Sequence, residues 1–297
     1  MKTTIAVLVL LASHAGSVHA QLASGNTMPE ALKGVAQAAS MCMREEARFE
    51  AGAAVREPEP DLACAAAPDA VQQLLQQPGS VAIDLRGAAE FEAYHIDGAV
   101  KASLPELLGK PYWRDKKVVL AGSGKGEREL YAACARLKQA GYRSVSVLRG
   151  GMASWLAAGK PVVGRAPSAQ QIARLSAAEL WREGQFLDNL VVIEKSRDGF
   201  MTGVPFSVPV QDIDTASIRR VMEQRRKASK GAPTAALVVV AGSAMPDQKL
   251  QQLQVSLAPQ PVLVYTDMRE AFTRQLASQK AVWSAHASGP KRPACGQ

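Results

Sequence analysis

Histidine is scarce in this chain: there are four in 297 residues, and two of them, His14 and His19, fall in the first twenty. Only His95 and His286 remain beyond that point, and no Cys-x-x-Cys accompanies them, so the usual zinc ligand sets are missing. No metal or other cofactor is expected. No apolar run after residue 20 approaches the ~20 residues needed to cross a bilayer, so no membrane span is expected. Three catalytic or nucleotide patterns fail around the loop Ser123-Gly124-Lys125-Gly126-Glu127-Arg128. A nucleophile elbow would need glycines where Ala121 and Lys125 stand. A phosphate loop anchored on Lys125 would need a glycine at Val119 and a hydroxyl at Gly126, and a dinucleotide fingerprint needs a glycine spacing that Gly122, Gly124 and Gly126 do not have.

The first stretch has Lys2, a short apolar run from Ile5 to Ala12, and the small-x-small pattern Val18-His19-Ala20. It reads as a secretory signal peptide cleaved after Ala20, with a periplasmic destination. Export implies an oxidising compartment, where four cysteines, Cys42, Cys64, Cys134 and Cys295, admit three pairings. A Cys42–Cys64 disulfide across the polar stretch "REPEPD" is expected. Cys134, on the apolar stripe of a helix with Leu130, Ala133 and Leu137, is expected to be a buried small hydrophobe.

The net charge is +8 and the pI about 9.4. That balance favours encounters with anions. The charge is scattered, which argues against a nucleic-acid interface. The densest run, 219–230, reads as a solvated helix face with Ile218, Val221 and Met222 turned inward.

The sequence repeats itself. "VVLAGSGKGEREL" (118–130) matches "VVVAGSAMPDQKL" (238–250), and the match extends to 80–87 against 189–196, 98–104 against 206–213, and 142–162 against 259–282. Strands and helices alternate in each copy, which predicts a parallel sheet covered on both faces. The expected organisation is a leader (1–20), a helical and loop segment (21–65), two tandem α/β domains (66–165 and 170–285), and a flexible tail (286–297).

The first copy carries Asp84 with Arg86, Glu90-Phe91, His95-Ile96-Asp97-Gly98-Ala99, and Gly150-Gly151 with Trp155, in that order. On these motifs it resembles a rhodanese-like domain, and the second copy resembles one only through the first. The resemblance implies sulfur-transfer chemistry through a loop reading Cys-x-x-Gly-x-Arg, whose Cys carries sulfur as a persulfide. Gly126 and Arg128 match that loop, but Ser123 stands at the nucleophile position, and Ser243 stands there in the second copy. A hydroxyl does not ionise as a thiol does and cannot form a persulfide. His95 belongs to a loop in the family pattern and is expected to pack there. The reading is therefore a tandem rhodanese-like protein without sulfur transfer. Residues 123–128 would cradle an anion such as thiosulfate, sulfate or phosphate, and an exported protein would be the partner. The alternative is a sulfurtransferase or thiol-redox protein using another cysteine, although Cys134 lies about three helical turns from the loop.

Overall fold

A computed structural model describes residues 58–242 and 245–288, without the side chains of 285–288. The leader, Cys42, Ser243, Cys295 and the residues from 289 onward lie outside the described residues.

The first domain runs β1 (Ala65–Ala66), α1 (Pro68–Leu75), β2 (Ser80–Asp84), α2 (Ala88–Ala93), β3 (Tyr94–His95), β4 (Val100–Lys101), α3 (Leu104–Gly109), β5 (Lys117–Ala121), α4 (Glu127–Gln139), β6 (Ser144–Leu148), α5 (Gly151–Ala157) and β7 (Val163–Gly164). Its five-stranded sheet has the order β1-β6-β5-β2-β4, all parallel. Strand β5 explains why the sheet needs helices on both faces. Val118 and Leu120 point into one core and Val119 and Ala121 into another, and all four are essentially fully buried.

The second domain runs α6 (Ala169–Ala173), α7 (Ala177–Glu183), β8 (Leu190–Glu194), β9 (Ser207–Val210), α8 (Thr215–Ala228), β10 (Leu237–Val240), α9 (Asp247–Leu257), β11 (Val262–Tyr265) and α10 (Arg269–Ser288). The helix α10 continues to Ser288, past the domain boundary expected at residue 285. The sheet order is β11-β10-β8-β9, again parallel. Each strand takes the place of its sequence counterpart: β8 of β2, β9 of β4, β10 of β5, β11 of β6. Even the edge is echoed, because Arg174 bridges β11 in parallel as β1 pairs with β6. The two domains thus share one α/β plan, as the repeat predicts. In α8, Asp214 caps the helix by accepting from Ser217 N at 2.9 Å, and Ile218 and Val221 face the core as expected.

The disulfide expectation is corrected. Cys64 is bonded to Cys134, not to Cys42, with the Cα atoms 6.6 Å apart. The cause is the path of the chain before the first helix. Asp61 N donates to Tyr131 O at 3.1 Å, Lys138 pairs with Asp61 at 2.7 Å, and β1 adds to β6. Residues 61–66 are therefore part of the first domain, and the short turn Leu62–Cys64 lies against α4 on the face that carries Cys134. Cys134 is buried as expected, but as half of a bridge.

Candidate functional site

The loop after β5 is held from behind by the start of α5. Met152 N donates to Gly122 O at 2.8 Å and Ala153 N to Ser123 O at 3.1 Å. This contact is backbone against backbone and needs glycine on both sides. A Cβ on Gly124 (φ 105°) would lie 2.5 Å from Gly150 O, and one on Gly151 (φ 52°) would collide with the backbone of Gly122, Ser123 and Gly124. Gly126, in the left-handed region at φ 68°, then turns the chain into α4.

Ser123 Oγ accepts from Lys125 N at 3.3 Å, its one hydrogen bond among the described residues. No histidine lines the cleft above it. His95 instead hydrogen-bonds Phe91 O through Nδ1 at 2.8 Å and stacks on the Phe91 ring at 4.1 Å. Asp84 and Arg86 form a buried fork, with Arg86 Nη2 reaching Asp84 Oδ2 at 2.7 Å and Tyr94 O at 2.6 Å. Trp155 is buried and donates to Pro161 O at 2.9 Å, and Gly98 makes a turn at φ 70°. These five positions brace the loops around residues 122–128.

The donors of the loop are occupied by carboxylates of the second domain. Lys125 Nζ meets both oxygens of Glu179 at 3.0 Å. Gly126 N donates to Glu183 Oε1 at 2.5 Å. Arg128 Nε donates to Asp188 Oδ2 at 2.7 Å while its guanidinium lies over the Phe186 ring at 4.3 Å. Glu183 is 2 % exposed, and its second oxygen accepts from Asn189 Nδ2 at 2.8 Å. Glu179 sits below the usual carboxylate range: burial pushes it up, but the Ser176 amide and Lys125 outweigh that.

Glu127 departs from the cradle expected of it. It is fully buried and turned inward, accepting from Tyr131 OH at 2.8 Å. Burial pushes its carboxyl up to about 7, against the pull of the Gly150 amide and Tyr131, and the neighbouring Glu183 adds to the rise. Burial likewise raises Glu183.

What remains open is a cleft of about 730 Å³ over Ser123. Its walls carry cations (Lys125, Arg165, Arg182) and carboxylates (Glu90, Glu129, Glu179) in equal number, beside the already paired Arg86. In the second copy the corresponding loop is built differently. Gly242 N donates to Glu194 Oε2 at 2.9 Å, Met245 is buried, and Asp247 is taken by Arg174 at 2.7 Å. Arg197 binds the carbonyls of Ala241 and Asp267.

The sequence reading missed Glu179, Glu183, Asp188 and Asn189. The available signal was the pair of glutamates four apart on a Ser-capped helix, which shows them to lie on one face.

A family model described as "Rhodanese-like domain" matches residues 67–158. A search of the curated proteins finds no match. Among solved structures, the Alr3790 protein from Anabaena sp. is similar at 25% identity, over 34% of this chain and 82% of that one, with a TM-score of 0.31. A rhodanese-related protein from Thermoplasma volcanium is similar at 23% identity, over 34% of this chain and 98% of that one, with a TM-score of 0.29. SseA from Escherichia coli, titled a 3-mercaptopyruvate sulfotransferase, is similar at 16% identity over 69% of this chain and 98% of that one, with a TM-score of 0.28. The chain carries, at residues 67–158, a domain of the rhodanese-like family.

Proposed function

We propose that this is an exported, non-catalytic tandem rhodanese-like protein, a scaffold for an exported protein partner, whose former active loop serves as the lock between its two domains. The observation that carries the reading is the occupancy of the loop. Glu179, Glu183 and Asp188 take the ammonium, amide and guanidinium donors that a free anion would need. Ser123 supports it, since a hydroxyl whose one partner is a backbone amide has no base to activate it. The anion of the cradle is thus intramolecular, and thiosulfate, sulfate or phosphate would have to displace three tethered carboxylates. Among the described residues the alternative route through another cysteine loses its candidate, because Cys134 is buried and bonded to Cys64.

The test is thiosulfate:cyanide sulfur transfer by the purified chain lacking residues 1–20, beside Ser123→Ala. Background rates in both are expected. Turnover in the parent protein well above Ser123→Ala would overturn the non-catalytic reading. Export is tested separately, by fractionating the bacterial cell and sequencing the mature N-terminus, expected at Gln21.

A further inference from the structure

A second cavity, of about 540 Å³, lies between α5 and the segment joining α9 to β11, and shares no lining residue with the cleft over Ser123. Its size falls within the ~300–1,000 Å³ of small-molecule sites. Leu156, Ala157, Val255, Pro259 and Pro261 give it apolar walls, and Gln170 and Gln254 give it neutral amides.

Its charge is unbalanced. Asp69, the carboxylate on the lining, is already paired with Lys160. Arg149, the cation on the lining, has no carboxylate within ion-pair distance among the described residues. Its Nη2 donates to Gln260 Oε1 at 3.1 Å, and its Nε is buried without an acceptor. Gln260 is itself 7 % exposed, and its Nε2 also lacks an acceptor. The buried Glu127 carboxyl feels Arg149 from a distance but does not contact it or line the cavity. A guanidinium at an apolar cavity without a contacting carboxylate is costly, and a carboxylate is the group whose two oxygens fit its fork.

We propose that this cavity is a binding site for a small amphipathic monocarboxylate. The acid head is held by Arg149 at the Gln260 end, and the apolar body lies against Leu156, Val255 and the two prolines. The site meets the loop at 123–128 only at Gly124 and uses none of its charged groups, so it stands independently of the function proposed above.

The experiment titrates sodium decanoate, below its micellar range, into the full chain by calorimetry, with decanol as the uncharged control. Saturable one-site binding of decanoate is expected, with decanol about tenfold weaker or worse, as befits loss of a charge-assisted pair. Arg149→Gln is expected to cost decanoate about tenfold or more. Because that change also removes the link to Gln260, Ala157→Trp supplies a second arm: it fills the cavity from an exposed position, leaves Arg149 in place, and is expected to abolish binding with an unchanged melting temperature. Failure of decanoate to bind, equal affinity for decanol, or undiminished binding by Ala157→Trp would each overturn the proposal.

Discussion

Glu127 makes the stability of this protein depend on pH in a direction opposite to that of most carboxylates. Its side chain is fully buried, and burial raises it from 4.5 to about 7. A folded state that keeps its proton to higher pH than the unfolded chain is favoured at low pH. The contribution is complete below about 4.5, is lost as pH rises toward 7, and is gone above it. That interval is worth about 3 kcal/mol at 1.36 kcal/mol per pH unit. Glu127→Gln removes the titration but keeps an oxygen for Tyr131 OH. Its new amide nitrogen meets the side where Glu127 Oε1 has no partner, at a cost of about 1–3 kcal/mol that does not vary with pH. The diagnostic is therefore the slope, not the absolute stability. Urea unfolding at pH 5 and pH 8, followed by tryptophan fluorescence, is expected to show the parent losing about 3 kcal/mol more than Glu127→Gln across that range. Equal losses in the two proteins would refute the burial argument.

Other perturbations test the lock and its supports. Ser123→Cys places a thiol at the start of α4, but Glu179 and Glu183 hold the nearby cation and amide, so its iodoacetamide labelling midpoint is expected at or above the ordinary value of about 8.5. Adding Glu183→Gln is expected to bring that midpoint down, and an unchanged one counts against the lock. Non-reducing peptide mapping is expected to link Cys64 to Cys134, and breaking this bridge, with its sequence separation of 70, is expected to cost about 4 kcal/mol in the chain-entropy model. Gly151→Ala forces a side chain at φ 52° into the backbone of Gly122, Ser123 and Gly124, and a loss of about 3 kcal/mol or more in chemical denaturation is expected.

The repeat and the parallel sheet were readable in the sequence because parallel strands buried on both faces leave a continuous trace of β-branched residues. "KVVLA" and "LVVV" occupy β5 and β10, and their neighbours follow in register. The motif residues were readable too, since Asp84 and Arg86 pair through their side chains two positions apart, and Gly150 and Gly151 take positive φ where a Cβ would not fit. The disulfide was not readable. Its partners are 70 residues apart and meet only because β1, two residues long, adds to β6. The tenants of the loop were hidden for the same reason. Lys125 and Glu179, Gly126 and Glu183, and Arg128 and Asp188 are separated by 54, 57 and 60 positions, and their pairing depends on how one domain is set against the other.

That setting also explains why tethered carboxylates hold the loop. A free anion enters at its bulk concentration, whereas a group on a covalently linked element is presented at an effective concentration near the millimolar range or above. Glu183 adds a second advantage. Asn189 fixes its other oxygen, so little side-chain freedom is lost when Oε1 meets Gly126 N. Glu179 is fixed likewise, because it already closes the capping box of α7 with Ser176 before it reaches Lys125. The helix α7 of the second domain is thus preorganised as a ligand for the first. The glycine-rich loop, which in outline is an anion cradle, acts in this chain as the socket of an interdomain joint.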